Sequence, residues 1–271
     1  MKSSISFFVL LFLVTPGGFA AGERNTVGGR SLAMGGTSVA QYDLWSLGNN
    51  QAGAAWLKGG SAGIGFENRF LLKELMFEQF ACAMSWKAGT FGVIVNRFGN
   101  DQYNELKAGF SYARKFGKRF SAGVQIGYLR FHLADAYGSK NLVSCEIGLM
   151  YRADRHLTIG VHLVNPVPET ITEKPRELLP ATICAGLSWQ FSDTFLANAE
   201  VEKDLLHKPV FRAGTEYHFT KPAFARIGVS TNPFAFSFGF GLEFGRLTID
   251  MASGYHQALG FSPAGSVVYS F

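Results

Sequence analysis

The sequence predicts an all-β protein: a closed antiparallel transmembrane β-barrel of about 14 strands with an N-terminal segment in its lumen. Three observations predict it, namely strand-by-strand alternation, a rhythm of short and long connections, and an aromatic residue at the end of the last strand. The alternation is cleanest in Phe234–Phe244, where even positions are large and apolar and odd positions are small or polar. A period of two puts these two sets on opposite faces of a strand. Such a pattern fits a sandwich core or a lipid-facing wall, and the connections decide between them.

Residues 1–20 read as a signal peptide. Lys2 supplies a positive charge, 5–14 form an apolar run, and Gly18 and Ala20 offer small residues for cleavage before Ala21. The run is shorter than the roughly 20 residues that a spanning helix needs. We therefore expect export and residence in the outer membrane of a Gram-negative bacterium.

Residues 61–271 form the predicted barrel. The alternation recurs in segments close to the 9–11 residues that cross a bilayer at a tilt. The predicted strands are 61–69, 76–86, 90–97, 105–115, 119–133, 142–152, 156–164, 181–191, 194–202, 210–219, 223–230, 234–244, 246–255 and 264–271.

The connections between these strands alternate in length, which a sandwich does not require. The short ones are 87–89, 116–118, 153–155, 192–193, 220–222 and 245. The others are 70–75, 98–104, 134–141, 165–180, 203–209, 231–233 and 256–263, and only 231–233 breaks the trend. Short periplasmic turns and longer outer loops are typical of outer-membrane barrels. The pattern therefore places the apolar faces against membrane lipid.

Aromatic residues at one end of the strands predict a membrane-interface belt. The belt residues are Trp86, Tyr112, Tyr151, Trp189, Tyr217 and Tyr269. The chain ends inside its last strand on Phe271, with Tyr269 two residues before it, a pattern that resembles the signal read by the outer-membrane insertion machinery. An even number of antiparallel strands lets the first pair with the last, which removes the sheet edges. We expect membrane lipid and the insertion machinery as partners.

Residues 21–60 do not alternate and form a predicted hatch. The segment contains Met34-Gly35-Gly36 and Asn50-Gln51-Ala52-Gly53, and it is too short for a core of its own. These motifs resemble the N-terminal hatch of the FadL outer-membrane transporters and of the PorV-like barrels of type IX secretion. The resemblance implies a 14-stranded barrel with the N-terminal segment tucked inside. Gln51 stands where those families usually have proline, and over the barrel the resemblance is architectural only.

Charged residues on the inward phase predict a lumen network of ion pairs that holds the hatch. Its members are Glu67, Arg69, Lys107, Glu146, Arg212, Glu216, Glu243 and Asp250. We expect no enzyme, because Gly-x-Ser-x-Gly occurs only at 59–63, where its serine begins a predicted strand and does not lie on a strand-to-helix turn. His162, His218 and His256 lie on separate strands without ligand spacing, so we expect no metal and no cofactor. The net charge of +5 comes from basic residues that are not grouped with aromatics along the sequence, which argues against nucleic acid.

Two functions follow from the resemblance. The first is a PorV-like accessory or scaffold barrel of an envelope secretion or assembly complex, with envelope proteins as partners. The alternative is a FadL-like transporter with a small hydrophobic molecule as ligand. The 165–180 loop is charged and contains four prolines, so it has little apolar surface to capture such a molecule. We therefore favour the scaffold at this stage.

Overall fold

The wall of the protein is a closed antiparallel barrel. The computed structural model describes residues 24–133, 138–166, 169–173, 176–205 and 207–271. The predicted signal peptide lies outside them. The strands of the wall are β1 (Gly60–Asn68), β2 (Met76–Trp86), β3 (Gly89–Gly99), β4 (Tyr103–Phe116), β5 (Phe120–Leu133), β6 (Gly138–Arg152), β7 (Leu157–Val164), β10 (Thr182–Ser192), β11 (Phe195–Asp204), β12 (Val210–Thr220), β13 (Ala223–Ser230), β14 (Ala235–Phe244), β15 (Leu247–His256) and β16 (Gly260–Ser270). Each strand pairs with the next, and β1 pairs with β16, so the predicted closed barrel is confirmed.

Two further strands, β8 (Glu169–Glu173) and β9 (Arg176–Leu179), form a separate two-stranded sheet between β7 and β10. The sequence analysis treated 165–180 as a loop, and that prediction is wrong. Strands of five and four residues are too short to show a period, and the prolines of this region lie outside both of them.

The fourteen wall strands fall within a few residues of the predicted ones. The largest differences are at β6, which begins at Gly138 where 142 was predicted, and at β16, which begins at Gly260 where 264 was predicted. Pairing with β5 and β15 continues through these extra residues. The polar residues 138–141 thus join the ladder even though they carry no alternation.

The two faces of the wall separate as the alternation predicts. In β14 the side chains of Phe236, Phe238 and Phe240 are 48%, 44% and 60% exposed, whereas Ser237 and Gly239 are buried against the lumen. A strand with its apolar side chains outward and its small residues inward fits a wall in lipid. No helix among the described residues is long and apolar enough to cross a membrane.

Residues 24–59 lie inside the barrel and contain three short helices, α1 (Gly29–Ala33), α2 (Ser46–Asn49) and α3 (Gln51–Ala54). We call residues 24–59 the hatch. Its apolar side chains, among them Trp45 and Leu47, form one cluster with Phe77 and Ile94 of the wall. The main apolar core therefore lies between the hatch and strands β2–β4.

Candidate functional site

The hatch contacts the wall through three groups of buried charges. In the first, the Arg24 cluster, Arg24 contacts Glu200 and Glu202 at 3.2 and 2.8 Å, and Arg212 contacts Glu202 at 2.9 Å. The backbone N–H groups of Ser38 and Val39 also donate to Glu200, at 2.7 and 2.9 Å. Two carboxylates of the wall thus bind both a side chain and the backbone of the hatch.

The second group, the Arg30 cluster, is centred on Glu216 of β12. Arg30 donates two hydrogen bonds to this carboxylate, at 2.8 and 2.9 Å. Arg226 lies between Glu216 and Asp250 and donates to both, at 2.7 and 2.6 Å. Because Arg30 and Arg226 share the Glu216 carboxylate, loss of its charge leaves two buried positive charges with fewer acidic partners.

Burial in the Arg30 cluster shifts the pKa values of two hatch residues, Arg30 and Asp43. Burial alone would lower the pKa of Arg30, but Glu216 and Asp43 outweigh it and raise that pKa above its usual range. Burial raises the pKa of Asp43, and Arg30, 3.6 Å away, offsets part of the rise. The Arg30 guanidinium therefore remains charged in the lumen and holds the hatch by charge-assisted hydrogen bonds.

The third group, the Glu146 cluster, lies on the opposite wall. Glu146 is fully buried, pairs with Lys107, and accepts a hydrogen bond from Gln51 Nε2 at 2.7 Å. His162 Nε2 lies 3.0 Å from the same oxygen, Oε2, that accepts from Gln51. The Gln51 amide thus joins α3 of the hatch to β6, where the Asn50 amide also donates to Leu149 O at 3.2 Å.

One group of side chains has the spacing of metal ligands among the described residues. Cys184, Glu200 and Glu202 place one ligand atom each within 4.8 Å of one another. Arg24 and Arg212 already contact the same two carboxylates. A metal ion would have to compete with these two positive charges, so we assign this group to hatch binding.

Close backbone contact holds the Met34-Gly35-Gly36 motif against strands β12–β14. Gly35 and Gly36 have φ values of 73° and 81°, which only glycine adopts readily. A Cβ atom on Gly228 would lie 2.1 Å from the Gly35 nitrogen, and one on Gly214 would lie 2.4 Å from the Met34 oxygen. Glycines on both surfaces therefore let the two backbones touch.

The Asn50-Gln51-Ala52-Gly53 motif begins α3. Asn50 caps the helix by accepting from Ala52 N at 3.2 Å and donates to Val39 O at 2.6 Å. Gln51 is the first residue of the helix, a position that suits proline. Here Gln51 supplies the amide that donates to Glu146, a hydrogen bond that proline at this position could not make. Gly53 leaves room for Gln41 O, 2.4 Å from where a Cβ would lie.

A cavity lies above the Glu146 cluster, toward the barrel end opposite Phe271. Its walls are apolar at Phe77, Phe98, Leu129, Val164 and Leu179, and polar at Arg24, Asn25, Glu105, Lys107 and Glu146. The cavity has a volume of about 50 Å³, which is room for roughly three to five waters. Within the described structure, Asn96 Oδ1, Ser144 Oγ and Asn165 Oδ1 are buried beside it without a hydrogen-bond partner. The cavity is thus half apolar and half polar, and too small for an aromatic ring without rearrangement.

Solved structures share this architecture. The Pseudomonas putida toluene transporter TodX matches at a TM-score of 0.71 and 13% identity, covering 92% of this chain and 99% of its own. The monoaromatic hydrocarbon channel CymD matches at 0.71 and 14%, covering 90% and 97%. A Pseudomonas aeruginosa FadL homologue matches at 0.67 and 11%, covering 91% and 97%. The chain has the FadL-type barrel fold. No protein-family model matches its sequence, and no curated protein does.

The resemblance to FadL barrels is therefore confirmed for the fold, and the PorV-like resemblance stays a prediction. Most predicted charge-network residues lie in the lumen of this FadL-type barrel. Arg69 contacts Glu67 at 3.3 Å and Asn25 of the hatch at 2.7 Å, near the rings of Phe77 and Phe98. Lys107, Glu146, Arg212, Glu216 and Asp250 take part in the three clusters.

The structure corrects the predicted place of Glu243 in the lumen charge network. It is exposed at the end of β14, next to the 245–246 turn, because the wall there extends beyond the hatch. The sequence analysis also missed Arg24 and Arg30, the two basic residues through which the hatch binds the network. Nothing in a segment without alternation showed which way those side chains point.

The predicted belt residues lie at the barrel end that carries Phe271. Trp86, Tyr151, Trp189, Tyr217 and Tyr269 are exposed, and Tyr112 is half-buried. Phe271 and Gly60 exchange two backbone hydrogen bonds, from Gly60 N to Phe271 O at 2.9 Å and from Phe271 N to Gly60 O at 2.8 Å. The Phe271 ring stacks on that of Tyr269, with 6.3 Å between the ring centroids. The terminal residue thus takes part in closing the FadL-type barrel, and its role as an insertion signal stays a prediction.

Proposed function

We propose that this barrel passes small hydrophobic molecules across an outer membrane and that the hatch is its gate. The observation that carries the proposal is a cavity with one apolar wall, at one end of a barrel whose fold is that of monoaromatic hydrocarbon channels. This reverses the order of the two functions favoured from sequence alone, where the polar 165–180 loop spoke for a scaffold. The cavity wall includes Leu179 of β9, an apolar residue contributed by that same region.

Passage requires the hatch to move. Below the cavity the lumen is filled by the hatch, and the Gln51–Glu146 contact borders the cavity floor. A molecule of one aromatic ring needs more space than the cavity has. We therefore place the gate at α2 and α3, where the Gln51–Glu146 contact, neutral hydrogen bonds and apolar packing hold the hatch without a buried ion pair of its own.

The test blocks the cavity and leaves the wall intact. Ser144 is buried and lines the cavity, while Val143, its neighbour on β6, faces outward and is 62% exposed. Ser144→Trp should lower toluene uptake by whole cells to the level of cells without the barrel, and Val143→Trp should keep wild-type uptake. Whole cells are needed because toluene crosses a phospholipid bilayer unaided. Heat-dependent migration on gels verifies that both variants fold.

Uptake that is the same with and without the wild-type barrel would refute the transport function. Equal uptake by Ser144→Trp and wild type would refute the route through the cavity. The measured uptake is normalised to the folded fraction of each variant.

A second candidate is the scaffold barrel of an envelope complex. The continuous wall favours it, since every neighbouring pair of strands keeps between seven and fourteen paired residues. A filled lumen behind such a wall needs no gate. Purification in mild detergent should then recover envelope proteins at fixed stoichiometry, and recovery of the barrel alone would exclude this candidate.

Export and location belong to the same proposal. Cleavage before Ala21 and residence in a Gram-negative outer membrane are expected, and cell fractionation with N-terminal sequencing of the mature chain tests both. A mature chain that begins at Met1 would contradict the signal peptide.

A further inference from the structure

Folding collects basic residues at one side of the barrel end that carries Phe271. The turns after β2, β4 and β6, together with the ends of the strands that lead into them, bear seven basic residues and one acidic one. These are Lys87, Arg114, Lys115, Lys118, Arg119, Arg152 and Arg155, with Asp154. On the other side, the turns after β10, β12 and β14 bear Lys221 and Arg246 against Asp193 and Glu243. The positive charge that is dispersed along the sequence is therefore concentrated on one side of this rim.

Two of the seven basic side chains contact aromatic rings of the hatch. Lys115 Nζ lies 5.1 Å from the ring of Trp56, and the Arg152 guanidinium lies 4.5 Å from the same ring and 4.9 Å from that of Tyr42. Of the five others, Lys87 lies in the turn after β2. We define the basic cluster as the four at the turns after β4 and β6, Arg114, Lys118, Arg119 and Arg155, all of which are exposed. Its two turns are joined, because Arg152 N donates to Arg119 O at 2.7 Å.

The one acidic residue in these turns does not cancel the cluster. Asp154 accepts hydrogen bonds from the backbone N–H groups of His156 and Leu157, at 2.6 and 3.0 Å. These bonds lower the pKa of Asp154 and keep its carboxylate charged and in place. Four exposed positive charges therefore face one negative charge that the backbone already binds.

Arg114 shows which way the cluster points. It lies on the outward phase of β4 between Tyr112 and Phe116, opposite Ala122. Phe116 and Phe120, which flank the turn, pair at 6.1 Å between ring centroids and are both exposed. Aromatic rings at this level mark the region of lipid head groups. Arg114 is therefore on the lipid side of the wall, at the level where phosphates lie.

We propose that the basic cluster binds the phosphate of an anionic phospholipid in the leaflet at this end of the barrel. Arginine donates paired hydrogen bonds to phosphate, and three of the four residues are arginines. A soluble acidic protein would reach the turn tips at Lys118, Arg119 and Arg155. It would not reach Arg114 on the lipid-facing wall, which makes lipid the better occupant.

The test measures which lipids the folded barrel keeps. The full-length mature protein is placed in nanodiscs of equal phosphatidylglycerol and phosphatidylcholine, and the lipids retained are counted by native mass spectrometry. Wild type should retain phosphatidylglycerol preferentially. Changing Arg114, Lys118, Arg119 and Arg155 together to Gln should reduce that preference about tenfold, because each basic residue contributes to anionic-lipid attraction.

The control removes the same number of charges at the opposite end, with Lys73, Arg130, Lys140 and Lys208 changed to Gln. This control should keep the wild-type preference. Arg114→Lys should retain more of it than Arg114→Gln, which excludes a purely structural role for this position. Heat-dependent migration verifies folding of each variant, and Arg114→Gln alone is read if the fourfold change prevents folding.

Three results would overturn the proposal: no preference in wild type, equal loss in the control, or capture of an acidic periplasmic protein without any lipid preference. Each is independent of toluene uptake, so the proposal and the transport function can fail separately.

Discussion

The hatch meets the two sides of the barrel in different ways. Against β11–β15 it is held by the Arg24 and Arg30 clusters, and its backbone touches glycines of the wall. Against β3–β7 it packs Leu47 on Ile94, donates from Gln51 to Glu146, and leaves the cavity open above. Its backbone also lies against wall glycines there and accepts neutral hydrogen bonds from Gln125 and Ser121, at 2.6 and 2.9 Å. We call the first the anchored side and the second the cavity side.

This difference identifies the part of the hatch that can move. The anchored side combines several buried ion pairs with direct backbone contact, and both are lost together if it separates. The cavity side has one carboxylate, whose partner Lys107 is partly exposed, and empty space next to it. Charge-assisted hydrogen bonds are roughly twice as strong as neutral ones, and neutral ones hold Leu47 and Ala52 to β5. Any opening of the lumen should therefore begin at α2 and α3, with α1 staying in place.

The largest expected effect separates the two sides through their carboxylates. Glu216→Gln leaves Arg30 and Arg226 without the buried negative charge that they share and should destabilise the folded barrel by about 3–5 kcal/mol. Glu146→Gln should cost less, because Lys107 can turn toward solvent. Urea unfolding of both variants in detergent micelles measures the difference. A larger cost for Glu146→Gln would reverse the assignment of sides.

A second prediction concerns the outer face, where the two sides should be alike. Phe238→Arg in β14 and Ile126→Arg in β5 each put a charge in lipid and should cost about 2–4 kcal/mol near the midplane. Both side chains are exposed on the wall, at 44% and 66%. Folding yields into phospholipid vesicles check this. Normal insertion of either variant would contradict the assignment of its outward face.

The backbone contact of the anchored side gives a third prediction. Gly228→Ala places a Cβ 2.1 Å from the Gly35 nitrogen and should destabilise the protein by about 1–3 kcal/mol through overpacking. Gly254→Ala is the matched control, since the nearest atom to its Cβ would be 3.9 Å away. Protease protection of the hatch should fall in the first variant only. Equal protection in both would show that the hatch does not rest on Gly228.

The smallest effect is expected at the cavity side. Gln51→Ala removes one hydrogen bond to Glu146 and should cost about 1 kcal/mol. Gln51→Pro should cost no more, because Asn50 is already extended, at φ −168° and ψ 102°, as a residue before proline must be. The same urea unfolding measures both. A much larger cost for proline would mean that the helix start, and not the amide, holds the hatch there.

Much of the wall is predictable from sequence because its physics is local. A period of two fixes the faces of β14, and the short turns fix the order of strands. The start of β6 at Gly138 is not predictable in this way, since polar residues join the ladder only through pairing with β5. The β8–β9 hairpin is missed for the related reason that its strands are too short to carry a period.

The site is less predictable because it depends on contacts distant in sequence. Alternation alone places Glu216 and Asp250 inward. It gives no sign that Arg30, 186 residues before Glu216, is the partner. Glu243 has the same inward phase but lies beyond the hatch. The inward phase of a residue therefore does not predict its contacts unless its height along the barrel is also known. The basic cluster appears only once the turns after β4 and β6 are adjacent.

Hydrogen exchange of the hatch amides tests the central claim most directly, because it compares the two sides in one molecule. We predict that residues 46–54, on the cavity side, exchange faster than residues 29–36, on the anchored side, and that toluene increases the difference. Equal exchange in the two segments, or faster exchange in 29–36, would contradict the account.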